Sequence, residues 1–320
     1  MSKQTVLITG GTGFLGKHLG VLLKERFHVV LAARNNNLNR DTEELTGCKV
    51  LPLDVSNIES VRDVFSETRP DIVVHAAATK YVDLSERQPM ECLDVNILGS
   101  QNIARVAVER GAETVIGMST DKAAPPVGNT YGLTKALMER LFCAMNGKSA
   151  TRFACVRHGN IAWSTGSVFP IWKRMHDSTG VIGSTGPDMT RYFSDVTEAA
   201  NLVITAIDNI DTLQGRVVSR AMKAARIRDI LELWISHKGG SWKQIEGRPG
   251  ERPHEYLIGA PELIHTESKE FNGAQHYVIS FNEISAHPLP APLCSDEAER
   301  LSDDEVLKII NNPPARGFAS

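Results

Sequence analysis

The 320-residue chain carries 35 Lys and Arg against 38 Asp and Glu, a net charge of −3, with 42 % hydrophobic and 23 % charged residues. This is the balance of a globular protein long enough for one large domain or two intimate ones, and without a basic run it argues against a nucleic-acid partner. Five scattered cysteines (Cys48, Cys92, Cys143, Cys155, Cys294) make no Cys-x-x-Cys pair, and no charged leader or membrane-length apolar run is visible, so the expectation is a cytoplasmic protein with reduced thiols, no metal site and no membrane partner.

Thr5–Thr9 is a short β-branched apolar run that reads as a buried parallel strand. It leads into Gly10-Gly11-Thr12-Gly13-Phe14-Leu15-Gly16, then a helical pattern over Lys17–Glu25, then a second strand at His28–Ala33. Strand, glycine turn, helix and strand at this length form the context that a dinucleotide fingerprint needs. Gly10 permits the turn, Gly13 admits the pyrophosphate and Gly16 lets helix meet strand; the helix N-terminus favours an anion. The second strand ends in Arg34, where an acidic residue would bind the ribose 2′-hydroxyl of NAD. An arginine, with Arg40 near, suits the 2′-phosphate of NADP, so NADP is expected over NAD.

A third strand, Lys49–Leu53, ends in Asp54-Val55, which are expected at the adenine. Ile58–Phe65 is a helix, Asp71–His75 a fourth strand, and Ala76-Ala77-Ala78 after it are small enough for a dinucleotide to lie against the backbone. Pro89–Val108 reads as one long helix carrying Asn96, and Thr114–Met118 as a fifth strand. Strands alternating with helical crossovers imply an α/β fold, a Rossmann-like doubly wound parallel sheet with right-handed connections.

The chemistry concentrates in Ser119-Thr120-Asp121-Lys122 and Tyr131-Gly132-Leu133-Thr134-Lys135, between the fifth strand and a helix over Thr130–Met145. Tyr131 and Lys135 are four apart and share a helix face. An ammonium near a phenol favours the phenolate, making a base for a hydroxyl proton. Asp121 and Lys122 lie at a strand's carboxyl end, where open α/β sheets place ligands. Tyr-x-x-x-Lys alone also describes a solvated helix start, so it needs its context.

A sixth strand covers Phe153–Arg157, and beyond it the alternation breaks. Helices are expected from Gly166–Pro170 to about Met175, over Ser194–Ile210, over Ala225–Ser236 and in the charged tail Ser295–Asn311. The expected division is a cofactor-binding domain from 1–165 and 195–220, and a smaller interleaved substrate lobe from 166–194 and 221–320.

These motifs together resemble the extended short-chain dehydrogenases and reductases, and within them the UDP-N-acetylglucosamine 4,6-dehydratases of polysaccharide biosynthesis, nearest the soluble 5-inverting kind. The resemblance spans about Thr5–Leu257. It rests on Ser119–Ala124 (STDKAA), His75–Lys80, Val82–Glu86, Asn96–Gly99, Val156–Asn160, Gly166–Val168, Met189–Tyr192 and Arg248-Pro249-Gly250-Glu251 with His254-Glu255.

The resemblance implies oxidation at sugar carbon 4 with NADP, Tyr131 taking the hydroxyl proton with help from Lys135. Lys122, neutral through burial and the nearness of Lys135, then takes the proton of carbon 5, and Asp121 as an acid protonates the leaving hydroxyl of carbon 6. It assigns Gly10, Thr12, Gly13, Phe14, Leu15, Gly16, Arg34, Asp54, Val55, Ala76, Ala77, Ala78, Lys80, Asn96, Tyr131 and Lys135 to the cofactor. Lys80, Thr120, Asn160, Ser167, Val168, Arg191, Arg248 and Glu251 go to a UDP-sugar, with Arg191 and Arg248 on the diphosphate. A homo-oligomer is expected. Asp121 and Tyr131 are ten apart where the family pattern has nine, so Pro125–Asn129 is a longer loop, expected beside the sugar. Trp163 stands where a small aliphatic residue is usual. A UDP-sugar 4-epimerase or reductase on the same scaffold needs Tyr131 and Lys135 but not Lys122; a non-catalytic cofactor-binding protein would need neither.

Overall fold

The structure, a computed structural model, describes residues 3–318. Six parallel strands form its centre: β1 (Thr5–Thr9), β2 (His28–Ala33), β3 (Lys49–Pro52), β4 (Ile72–His75), β5 (Thr114–Thr120) and β6 (Arg152–His158). β1 pairs with both β2 and β4, so strand order reverses there, and the crevice beyond the strand ends opens at that point. Side chains alternate between two cores, as a period of two requires: Leu7, Val30 and Val73 enter one, while Val6, Ile8, Leu31 and Val74 enter the other.

Helices cover both faces. α1 (Phe14–Leu23) and the Val196–Asp208 helix pack on one, and α3 (Ile58–Thr68), Gly99–Arg110 and Thr130–Met145 on the other. The Val196–Asp208 helix begins at Asp195 with a capping box to Glu198; of the two caps the sequence offers, Ser194 and Asp195, it uses the second. The long helix expected over Pro89–Val108 is interrupted by a π-helical turn at Asp94–Leu98. α2 (Asn36–Thr46), capped by Asn35, was not anticipated, because its sequence is mostly polar.

The sheet is wider than six strands. Val217–Arg220 adds parallel to β6, and Ala274–Ile279 and Thr266–Phe271 follow antiparallel, giving nine strands. Residues 266–279 therefore extend the large sheet, although the sequence division puts them in the small lobe. A third buried cluster gathers Trp163, Phe169, Trp172 and Trp234 with Phe14 of α1, and Val306 and Ile310 of the Asp303–Asn311 helix contribute to it. Residues 295–302 precede that helix and are not part of it.

One buried ion cluster joins these parts. The Arg157 guanidinium on β6 is fully buried. Nε and Nη2 donate to Glu139 at 2.9 and 2.6 Å, Nη1 and Nη2 to Glu262 at 2.9 and 2.8 Å, and Nη1 to the Leu257 carbonyl at 3.0 Å. Five contacts match the five N–H groups of arginine. Replacing Arg157 by Met leaves two buried carboxylates without a counter-charge. We expect a loss of about 3–5 kcal/mol, read as a lower urea midpoint, and substantial recovery when Glu139 and Glu262 are also replaced by apolar residues.

Candidate active site

The Thr130–Met145 helix is aimed by its first turn. Asn129 Oδ1 accepts from the Gly132 N–H at 2.8 Å, and Asn129 Nδ2 donates to the Gly250 carbonyl at 3.2 Å. The cap thus also ties down the Arg248–Gly250 turn. Lys135, Met138, Glu139 and Phe142 continue at helical spacing and are buried against the sheet, with Tyr131 one turn before them at the cavity.

The cavity, of about 580 Å³, runs over the carboxyl ends of β1, β2, β4, β5 and β6. Gly10, Thr12, Gly13, Phe14, Leu15, Gly16, Arg34, Val55, Ala76, Ala77, Ala78 and Lys80 border it. So do Thr120, Lys122, Tyr131, Lys135, Asn160, Ser167, Val168, Arg191, Arg248 and Glu251. Gly10 has φ +69°, and a Cβ there would lie 2.7 Å from the Ala77 nitrogen, so two crossing segments meet where only glycine fits. α1 starts at Gly13 with no side-chain cap and no acidic residue in its first turn, which leaves its N–H groups open to an anion. Arg34 is exposed at the end of β2. These features fit a dinucleotide.

A second cavity, of about 870 Å³, lies behind His158 and Tyr192. It contains none of the Asp121–Lys135 groups, and among its charges Lys223 pairs with Glu305 at 2.9 Å and Arg220 with Glu198 at 3.4 Å.

Several assigned residues sit elsewhere than expected. Asp54 Oδ1 accepts from the Ser56 N–H and hydroxyl at 3.0 and 2.7 Å, so it closes its own turn, and only Leu53 and Val55 reach the cavity. Asn96 is buried beneath the wall: Oδ1 accepts from Thr79 N–H at 2.8 Å, and Nδ2 donates to the Thr79 carbonyl and to Thr134 Oγ1 at 3.0 and 2.9 Å. It therefore braces the segment leading to Lys80. Arg191 donates to the carbonyls of Thr190, Arg252 and Pro253 at 2.7, 2.7 and 3.0 Å, which commits both of its Nη groups to backbone. The Pro125–Asn129 loop is not on the cavity wall. It packs on Gly259 and Arg252, where a Cβ on Gly259 would lie 1.9 Å from the Pro125 oxygen.

The catalytic candidates form one cluster. Lys122 Nζ donates to Asp121 Oδ1 at 2.9 Å and to Asn160 Oδ1 at 3.4 Å, and lies 3.4 Å from Glu255 Oε1. Thr120 Oγ1 donates to the same Asp121 oxygen at 3.0 Å. Asp121 is fully buried beneath Thr120 and Lys122 and does not border the cavity; its Oδ2 has no hydrogen-bond partner among the described residues.

Two electrostatic expectations are corrected. Burial pulls the Lys122 ammonium down, but the charges of Asp121 and Glu255 outweigh it and raise the group above its ordinary value; Lys135 is not among the causes. The Tyr131 phenol is raised rather than lowered, by burial first and then by Asp121, with its side-chain interaction with Thr120 opposing. Lys135 Nζ instead lies 3.7 Å from Met138 Sδ, and burial brings its ammonium down to about 8, against the influence of Cys155, Glu139 and Cys92.

Sequence reasoning gave no role to Glu255, although it falls in a quoted motif; nothing local signals that it enters the cluster. Nor did it foresee His75, whose ring nitrogens bridge Thr9 Oγ1 at 2.8 Å and Ser100 Oγ at 3.0 Å. Burial and the Lys135 charge bring that imidazole down to about 3, so it is a neutral strut between β1, β4 and the Gly99–Arg110 helix.

The family described as polysaccharide biosynthesis protein matches residues 6–276. The chain belongs to this family. Its fold is the Rossmann fold of the extended short-chain dehydrogenases and reductases. It is 36 % identical over 284 residues to an uncharacterized membrane protein of Methanocaldococcus jannaschii, covering 83 % of this chain and 84 % of that one. It is 30 % identical over 324 residues to a UDP-N-acetylglucosamine 4,6-dehydratase (inverting) of Campylobacter jejuni, covering 98 % and 94 %. Among solved structures, Pen from Bacillus thuringiensis matches over 98 % of both chains with a TM-score of 0.88 and 27 % identity. A Thermus thermophilus UDP-glucose 4-epimerase in complex with NAD covers 78 % of this chain and 89 % of its own, at a TM-score of 0.68 and 21 % identity, which is a likeness of fold alone. Among the described residues of this chain, no helix is long and apolar enough to cross a membrane, and no group of three or more His, Cys, Asp or Glu could hold a metal ion.

Proposed function

We propose that this protein is an NADP-dependent nucleotide-sugar 4,6-dehydratase that converts UDP-N-acetylglucosamine or a close relative to the UDP-4-keto-6-deoxy sugar, with inversion at sugar carbon 5, as a precursor of surface glycan. The observation that carries the reading is the Asp121–Lys122 pair, joined at 2.9 Å, in one cluster with Thr120 and the Tyr131/Lys135 helix at the cavity. A UDP-sugar 4-epimerase on this scaffold would need Tyr131 and Lys135 but not Lys122, and a Rickettsia bellii relative named UDP-glucose 4-epimerase is likewise 30 % identical, so Lys122 is the residue that separates the two readings. Relatives named as UDP-N-acetylglucosamine 4,6-dehydratases support the substrate class. A cytoplasmic homo-oligomer remains the assembly we propose.

The N-terminal turn of α1, the Ala76–Ala78 segment and Arg34 would hold the cofactor, which when bound accepts hydride from sugar carbon 4 and returns it to carbon 6. Tyr131 takes the hydroxyl proton, with Lys135 one turn along supplying the positive charge that the phenolate requires. Proton transfer from the Lys122 ammonium to Asp121 across their hydrogen bond creates both groups that elimination needs. It yields a neutral amine to take the proton of carbon 5 and a carboxylic acid for the leaving hydroxyl. The same transfer neutralises the Asp121 charge that holds the Tyr131 phenol up, so oxidation and elimination are electrostatically linked. Since Asp121 lies beneath Thr120 and Lys122, the acid proton reaches the sugar only after Asp121 Oδ2 gains access to the cavity or through an intervening hydroxyl.

Incubation with UDP-N-acetylglucosamine in heavy water tests this: NMR should find the 4-keto-6-deoxy product with deuterium at carbon 5, and absence of both would sink the proposal. Tyr131→Phe should lower turnover by about 10²–10⁴-fold. Lys122→Ala should still transfer hydride from carbon 4 in a single turnover but incorporate no deuterium; full product formation by this variant would favour an epimerase or reductase. Arg34→Asp removes the cation proposed for the 2′-phosphate, and titration should show NADP affinity reduced roughly 10- to 100-fold with NAD affinity retained or improved.

A further inference from the structure

We propose that Glu255 is a positioning residue of this site, whose carboxylate holds the Lys122 amine over the cavity and strengthens it as a base. The inference rests on the proposed role of Lys122 in taking the proton of carbon 5.

Glu255 reaches the cluster from the opposite end of the sequence, just before the Tyr256–Ile258 strand. It is 2 % exposed yet borders the cavity. Oε1 lies 3.4 Å from Lys122 Nζ and 4.0 Å from Arg191 Nε, while Oε2 lies 3.7 Å from Arg252 Nη1 and accepts no hydrogen bond from the described residues. A carboxylate withdrawn from water among three cations, with one oxygen unpartnered, is an expensive arrangement unless its charge is used. The backbone on either side is fixed. The Glu255 N–H donates to Ser295 Oγ at 2.9 Å, the Ser295 N–H returns to the Glu255 carbonyl at 2.8 Å, and the Ser295 hydroxyl is itself held by Thr190 Oγ1 at 2.7 Å.

The groups facing Lys122 can be named by element. Asp121 precedes it at the end of β5, His158 and Asn160 come from β6 and the residues after it, Arg191 from the Thr190–Ser194 strand, and Glu255 from the C-terminal segment. Tyr131 and Lys135 stand on the helix beyond. Asp121 and Glu255 alone are carboxylates. If Asp121 takes up a proton during elimination, Glu255 is the remaining negative charge that stabilises the ammonium formed when Lys122 accepts the proton of carbon 5. The sign follows: with Glu255 neutralised, Lys122 loses its proton at lower pH and becomes a weaker base.

The test is competitive acetylation of Lys122 across pH, read by peptide mass spectrometry against the exposed Lys243, in the full-length wild type, Glu255→Gln and Glu255→Asp. Only the neutral amine reacts, so the half-labelling pH reports the titration without any turnover. Glu255→Gln should lower it by about one pH unit or more, and Glu255→Asp should stay near the wild type. With UDP-N-acetylglucosamine in heavy water, Glu255→Gln should move the rising limb of the pH profile of deuterium entry at carbon 5 to lower pH, in step with the half-labelling pH, while KM changes little. A Lys122 titration unchanged in Glu255→Gln, or moved equally in both variants, would overturn the proposal. Should Glu255→Gln not fold, Ser295→Ala removes the acceptor that fixes the Glu255 N–H and so loosens the backbone that aims the carboxylate; the half-labelling pH must then move in the same direction, and no movement counts against the proposal. If the wild type turns over no UDP-hexose, the dehydratase reading fails while the titration still judges Glu255.

Discussion

The Arg157 guanidinium and its two carboxylates set the geometry on which the site depends. β6 can place a buried arginine at this point only if both charges of the opposite sign arrive. One comes from the Thr130–Met145 helix and the other from the turn after the Tyr256–Ile258 strand. Because Glu139 is four residues beyond Lys135, anchoring it to β6 fixes the rotation of the helix that carries Tyr131 and Lys135. Because the Leu257 carbonyl shares the same guanidinium, the chain two residues before it, Glu255, is delivered to Lys122. A buried ion cluster is not the most stable filling for such a space. In this fold it fixes the relative position of three segments far apart in sequence, which a hydrophobic contact would specify less sharply.

The site is arranged around charges in competition. Burial lowers both Lys122 and Lys135, but only Lys122 has carboxylates in contact to reverse the effect. The two lysines, thirteen residues apart in sequence, therefore hold opposite electrostatic positions in one cavity. Lys122 holds its proton more firmly than Lys135, so it becomes a neutral amine only by giving that proton up, and Asp121 stands 2.9 Å away to receive it. The difference comes from which acids are near: Asp121 and Glu255 stand 2.9 and 3.4 Å from the Lys122 amine.

The local parts of this structure were legible because their signals are local. The β-branched runs of β1 and β2, the glycine turn and the helical spacing of Tyr131, Lys135 and Glu139 each express a backbone rule within a few residues. What could not be read depended on remote partners. Thr266–Phe271 carries Glu267, Lys269 and Glu270, and no element was named there from sequence; it is a strand because Ala274–Ile279 folds back on it at the sheet edge. Asn96 looked available to a ligand, but the π-helical turn that carries it directs its amide to Thr79 and Thr134. Lys122 was misread partly for the same reason: the adjacent Asp121 does most to hold its ammonium up against burial, and Glu255, which gives no sign in sequence of where it will lie, adds to it.

Trp163 shows how the remaining departure from the family pattern bears on the cavity. Its backbone has φ +63°, a conformation that costs a bulky residue free energy, so something must hold it there. The indole N–H donates to the Ile309 carbonyl at 2.7 Å, and the ring is buried against Phe169 and Trp234. The residues on either side, Asn160 and Ile161 before it and Ser164 to Val168 after it, are cavity wall. The Asp303–Asn311 helix is thus bonded to the middle of the wall segment that begins at Asn160, beside Lys122. A small aliphatic side chain could fill part of the ring's volume but could not reach that carbonyl. Trp163 therefore makes the wall's shape depend on the docking of the C-terminal helix, and the shape of this part of the cavity follows from that contact more than from the proline loop, which packs away from it.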